Sequence, residues 1–208
     1  MPQYKIIDYT FTTAAELARA ILEYVGVSYE DVRYDKDKAG DAEKVTPFGT
    51  LPVLEVDGKI IAQHQSICRF IARQHGMAGK SEIEFALCDL VMDGLWHMFA
   101  KIRRAQIHQL SKEERSSIIK TMIAEDVPPY LDGFEKMLKD RKDESDFIIS
   151  KEVTWCDIGL TLALAALKYR HGLSLDSHPQ LSGYLGKMME LPQLAEFLSK
   201  RAQEEAGY

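Results

Sequence analysis

Cysteine is scarce and unpaired in this chain. Its 208 residues include three, Cys68, Cys88 and Cys156. They form no paired spacing, which excludes a disulfide framework and fits buried, reduced thiols in a cytosolic protein. Metal-ligand spacing is also missing. The six histidines at 64, 75, 97, 108, 171 and 178 never join an acid in a two-His cluster, so no metal centre is expected. No apolar run reaches about 18 residues, which excludes a membrane-spanning helix. A basic excess is absent as well: 26 Lys and Arg against 32 Asp and Glu leave a net charge of −6, which argues against a nucleic-acid groove. The opening MPQYKII lacks the charged and apolar regions of a signal peptide, so a cytoplasmic location is expected. Apolar residues make up 46% of the chain. That is enough for a substantial core in one large or two small domains.

The pattern divides the chain in two. Residues 3–9 read as a strand. Thr13-Ala14-Ala15-Glu16 reads as a capping box, opening a helix from Ala14 to about Val25 with Gly26 as its stop. Val27–Tyr34 is a second strand, parallel to the first if the helix between them makes a right-handed crossover. Residues 35–46 are polar and read as a loop. Asp57-Gly58, between apolar runs 52–56 and 59–62, signals a hairpin. A helix then covers about Gln65 to His75. From Ser81 onward the pattern is helical: about 81–110, a helix behind the capping box Ser111–Glu114 that bends near Pro128-Pro129, one at about 129–141, a buried helix behind Thr154–Asp157, and two more at about 179–189 and 191–204. The expectation is an α+β protein, a βαβ-ββα domain over residues 1–78 followed by an all-helical domain over 82–208.

The densest stretch of information is Thr46-Pro47-Phe48-Gly49-Thr50-Leu51-Pro52-Val53-Leu54-Glu55-Val56-Asp57-Gly58-Lys59. Pro52 stands directly before a strand and has no N–H for a sheet ladder. If Leu51-Pro52 is cis, Leu51 presents both of its backbone groups to an extended ligand. Phe48, in the same loop, reads as an anchor for a partner subunit. Cys68 falls on a helix face with Ile71 and Ala72 and reads as buried and unreactive. Residues 10–15, ahead of the first helix, carry no cysteine, so a glutaredoxin-type disulfide mechanism is not expected.

A βαβ-ββα domain with an X-Pro turn before its third strand is the thioredoxin-like layout. Joined to an all-helical domain of this length, it resembles the cytosolic glutathione transferases. The resemblance is carried by TPFGTLPVLEVDGK (46–59), AQ (62–63) leading into ICRFIAR (67–73), and TWCDIGL (154–160). In wording it is most similar to the sigma class, which includes prostaglandin D synthases. The resemblance implies a homodimer and a glutathione site. In that site Gly49, Thr50, Leu51 and cis-Pro52 line the cysteinyl part, while Gln63 and the N–H groups of His64 and Gln65 hold the γ-glutamyl carboxylate at a helix N-terminus. It also implies a second-substrate wall on the long helix, at Trp96, Phe99 and Arg104. Lys101, Arg103 and Arg104 form a short basic stretch there.

The departures concern the chemistry. The catalytic tyrosine of the class, which donates a hydrogen bond to the glutathione sulfur, aligns with Asp8. An ionised Asp8 would repel a thiolate, and only a strongly desolvated, protonated Asp8 could donate. Tyr9 is the substitute, facing away in a regular strand but swung into place by a bulge near Ile7-Asp8. Further matched positions have changed: the arginine after the first strand is Ala14, the loop tryptophan Ala39, the loop lysine Glu43, the serine after Gln63 is His64, and an aspartate pair is Trp96-His97. Lys44 or Lys38 is the candidate replacement for the lysine. The reading is a glutathione transferase that joins glutathione, its cosubstrate, to small apolar electrophiles or reduces organic hydroperoxides. A non-catalytic carrier of the same fold and a glutathione-dependent prostaglandin isomerase remain as alternatives.

Overall fold

The structure is a computed structural model. It describes residues 3–10, 15–44, 46–100, 110–141 and 145–206, with side chains to residue 200. A four-stranded sheet is formed by β1 (Tyr4–Tyr9), β2 (Tyr29–Tyr34), β3 (Val53–Val56) and β4 (Lys59–Ala62), in the order β2-β1-β3-β4. β1 runs parallel to β2, while β3 and β4 are antiparallel to their neighbours. The parallel pair follows from the crossover helix α1 (Glu16–Tyr24). Asp57 and Gly58 both take positive φ, 47° and 77°, the geometry of a type I′ hairpin. On β1, Tyr4, Ile6 and Asp8 share one buried face. Leu17 and Ile21 of α1, and Ile67 and Ile71 of α3 (His64–Gln74), belong to the same core.

One local expectation needs correction, and one falls partly outside the described residues. Helix α1 is described from Glu16, and Ala14 lies outside the described residues. Ala15 precedes it without a side-chain cap, and the Glu16 carboxylate accepts from Arg19. Thr13 lies outside the described residues. The stretch read as a loop, 35–46, contains a 3-10 turn (Lys36–Lys38) and the short helix α2 (Gly40–Lys44), held by the fully buried Ala39.

The described residues beyond α3 contain further helices: α4 (Glu82–Met98), α5 (Lys112–Glu125), α6 (Val127–Lys139), α7 (Trp155–Ala165) continued by a π turn (Ala166–Arg170), α8 (Pro179–Met189) and α9 (Pro192–Ala206). The chain breaks at Asp126 because the prolines of α6 fit only its first turn. α5 carries the Ser111–Glu114 capping box. α7 is apolar and buried almost all round, packed against α4, α8 and α1. It starts at a second capping box. Asp157 accepts from Thr154 N (2.8 Å), Thr154 Oγ1 (2.6 Å), Ile148 N (2.8 Å) and the Tyr184 hydroxyl (3.1 Å). The Trp155 N–H bonds Met77 O at 2.9 Å, which ties this helix to the link following the sheet half. Among the described residues no helix is long and apolar enough to cross a membrane. No group of three or more His, Cys, Asp or Glu among them could hold a metal ion.

Candidate active site

The sheet register brings three chain segments to one corner. Val53 pairs with Ala62, so the bond before β3 and the residues after β4 lie side by side. Ile7 pairs with Val53, so the end of β1 runs on past Pro52 and sets Tyr9 across from Leu51. The Leu51-Pro52 peptide is cis. Pro52 offers no N–H, and Leu51 is half-buried where the chain enters the central strand β3. The approach to Leu51 is fixed by Thr46. Its hydroxyl donates to Glu43 O (2.9 Å) and accepts from Thr50 N (3.0 Å), while Gly49 turns the chain with φ 64°.

Gln63 caps α3 with φ 72°, exposed, and with no side-chain bond to the helix N–H groups. Behind it the His64 ring lies 4.6 Å from the Trp96 ring, and Gln65 Nε2 donates to Met92 O at 3.3 Å. These contacts join the start of α3 to α4. Trp96 remains 37% exposed, so it can still face a ligand. Phe99 ends α4 and packs on the core. Arg104, together with Lys101 and Arg103, lies outside the described residues. Lys44 is exposed and paired with Asp41 at 2.9 Å on the outside of α2.

The two residues at the end of β1 go different ways. β1 pairs with β2 continuously through Tyr9↔Tyr34, so there is no bulge, and Asp8 and Tyr9 point to opposite faces. Asp8 is fully buried. Its Oδ2 takes Arg19 Nη1 at 3.2 Å. Arg19, only 1% exposed, also reaches Glu16 (2.7 Å) and Asp31 (2.9 Å). This cluster is held by geometry that a guanidinium fork favours. Burial pushes the Asp31 carboxyl up, but Arg19 and then Arg33 outweigh it and leave it below its ordinary range.

Tyr9 donates to Glu43 Oε1 at 2.5 Å. Burial, and then that bond and the charge of Glu43, push the phenol up to about 12. The Leu51 N–H bonds the same oxygen and pulls the other way. Tyr9 thus reaches the Leu51 loop without a bulge, because the register carries it there, and its hydroxyl donates to Glu43. Neither the Asp8–Arg19–Asp31 cluster nor the Glu43 partner was evident in the sequence. The Glu16/Arg19 spacing of three on one helix was the only local signal.

A cis-proline edge, a helix N-terminus beside it and a helical half behind Thr154–Asp157 decide the comparison. The N-terminal domain model of the glutathione S-transferases matches residues 2–73, and the C-terminal domain model matches residues 97–201. The chain belongs to the glutathione S-transferase family. It is 32% identical to glutathione S-transferase 1 of Ascaris suum over 203 residues, 97% of this chain and 98% of that one. It is 33% identical to the hematopoietic prostaglandin D synthase of Gallus gallus over 202 residues, with 97% and 98% covered. Among solved structures, a nematode-specific transferase of Caenorhabditis elegans superposes with a TM-score of 0.85 at 26% identity, covering 97% and 98% of the two chains. The transferase of Ascaris lumbricoides gives 0.81 at 32%, with 96% and 98% covered. A Necator americanus transferase described as monomeric gives 0.83 at 28%, with 96% and 97% covered. The family is sigma-like in its relatives, and it keeps its fold here while the residue at the end of β1 serves an ion cluster.

Proposed function

We propose that this chain is a glutathione transferase whose cosubstrate lies along the cis-proline edge and whose thiol is served by Tyr9. In this reading the Leu51 backbone, flanked by Gly49, Thr50 and Pro52, pairs with the cysteinyl part. Gln63 and the first N–H groups of α3, at His64 and Gln65, take the γ-glutamyl carboxylate, which an uncapped helix N-terminus favours. Lys44, exposed and paired with Asp41, is the candidate cation once it leaves that pair, and Trp96 with Phe99 is the candidate wall for a small apolar electrophile. The observation that carries this reading is the β1–β3 register, which sets Tyr9 across from Leu51, with the phenol donating to Glu43 beside the same loop. The thiol of a cysteinyl group paired with the Leu51 backbone lies on the side of the phenol. A hydrogen bond from the phenol favours thiolate over thiol. The thiolate then forms a carbon–sulfur bond as the electrophile opens or loses its leaving group. Asp8 has no part in this chemistry. Its carboxylate is Arg19's partner.

The proposal extends to a cytoplasmic homodimer with a boundary between 78 and 82, in which the 67% exposed Phe48 reaches the partner. A non-catalytic carrier is the second reading, favoured by the Tyr9 hydroxyl already donating to Glu43. Calorimetric titration of glutathione, followed by kcat for an aryl chloride in wild type and Tyr9→Phe, separates the two. The transferase reading expects a Kd at or below about 1 mM and a loss of about 10²-fold in kcat for the variant, the scale of one lost oxyanion donor. Binding without any Tyr9-dependent rate leaves the carrier.

A further inference from the structure

Glu43 closes a hydrogen-bonded ring over the Leu51 edge. Its backbone is fixed on both sides: its N–H donates to Ala39 O (2.9 Å), and its carbonyl accepts from Thr46 N (3.1 Å) and Thr46 Oγ1 (2.9 Å). Thr46 in turn holds Thr50 N at 3.0 Å, which leads directly to Leu51. Tyr9 completes the ring by donating to Glu43 Oε1 at 2.5 Å from the neighbouring strand. The side chains that meet here come from the end of β1, the end of α2 and the cis-proline loop, three segments with no other reason to share a proton. Glu43 is only half-buried, so its carboxylate can turn out to water without unfolding anything.

A phenol has one proton to give. It goes to Glu43 or to a ligand's sulfur, not to both. A carboxylate beside the same edge also disfavours a second negative charge there. We infer that Glu43 is a positioning residue that latches Tyr9 across the cradle, so that a thiol ligand entering at Leu51 must displace the carboxylate before it can receive the Tyr9 hydrogen bond. The inference rests on the glutathione reading of the cradle. It makes Glu43 a built-in competitor of the cosubstrate sulfur, one that weakens glutathione binding in proportion to how well residue 43 accepts the Tyr9 proton.

The test uses the full chain with Glu43→Gln, Glu43→Ala and each of these combined with Tyr9→Phe. Glutathione is titrated calorimetrically, and tyrosinate absorbance is followed against pH, with the band lost in Tyr9→Phe assigned to Tyr9. Glu43→Ala is expected to tighten glutathione about tenfold, and Glu43→Gln by less, because an amide oxygen still accepts a weaker bond. Both variants are expected to let the Tyr9 band ionise at lower pH than in wild type, and neither should change glutathione affinity once Tyr9 is Phe. Equal affinity in wild type and both variants, tightening that persists in the Tyr9→Phe background, or an unmoved Tyr9 band overturns the latch and leaves the cradle reading standing. Weaker binding by Glu43→Ala overturns it too, since Glu43 would then hold the ligand. No glutathione binding by any variant at about 10 mM, a concentration far above any useful Kd, overturns the cradle reading itself and the latch with it.

Discussion

Replacing Arg19 with methionine removes the cation that three carboxylates share. Arg19 is 1% exposed and bonds Asp8, Glu16 and Asp31, of which Asp8 is fully buried. Methionine fills similar space with an apolar chain, so packing is largely kept and the electrostatic loss is isolated. Breaking a buried pair from one side costs about 3–5 kcal/mol, because the remaining charge stays desolvated. Against a total stability of about 5–15 kcal/mol that is a large fraction. For a chain of this size it lowers Tm by about 10 °C. Asp8→Asn is expected to cost less than half as much, since Arg19 keeps Glu16 and Asp31. The double variant should fall well short of the sum, because the two changes remove one interaction. Urea denaturation with an unchanged m-value measures all three. A cost under about 1 kcal/mol for Arg19→Met would mean that Asp8 is already neutral or hydrated. The assignment of Asp8 to structure instead of chemistry would then be lost.

The same cluster sets an acid-side slope. Asp31 is held below its ordinary value of 3.8, so its stabilisation is fully present above that pH and is lost as pH falls through the lower folded value; Arg19→Met should flatten this part of the stability–pH profile in acid unfolding. Gly79→Ala meets a φ of +100° and a Glu84 Cβ 2.6 Å from the new methyl, so a loss of about 2 kcal/mol or more is expected by thermal melting. In the proposed homodimer, Phe48→Ala should leave the melting of the folded chain nearly unchanged while raising the dissociation constant in sedimentation. An unchanged association would remove Phe48 from the interface.

Legibility followed distance along the chain. The Asp57-Gly58 hairpin, the Ser111–Glu114 box and the Thr154–Asp157 box are signals completed within about four residues, and each formed as read. The expected box at the first helix falls on Thr13, outside the described residues, while Glu16 accepts from Arg19 one turn on. Residues 35–46 read as a loop because a five-residue helix is too short to show a period, and the buried Ala39 carries no polarity signal. The site depended on longer pairings. Tyr9 and Glu43 are 34 residues apart, and only the β1–β3 register shows that Tyr9 meets Leu51 without a bulge. Alternation alone predicted, correctly, that Asp8 and Tyr9 part company. It could not say which face held the cradle.

Asp157 shows how much a local motif can carry once it is buried. It is fully buried and accepts from two backbone N–H groups, those of Thr154 and Ile148, and from two hydroxyls, of Thr154 and Tyr184. Hydroxyls can rotate to other acceptors, but the N–H groups cannot. Asparagine has one acceptor oxygen and one NH₂ where aspartate has two oxygens. Whichever way it is turned, its NH₂ faces either the Thr154 N–H or the Ile148 N–H. One buried donor is orphaned, at about 1–3 kcal/mol. Alanine orphans both and leaves a void, so about 3–6 kcal/mol is expected, near the limit of a stable fold. Because Trp155 N–H ties the same helix start to Met77 O, the loss should lower a single cooperative transition seen by both tyrosine and tryptophan signals. If Asp157→Asn melts with wild type, the carboxylate is not what starts α7, and the apolar burial of Ile158, Leu160 and Leu164 would have to account for that helix alone.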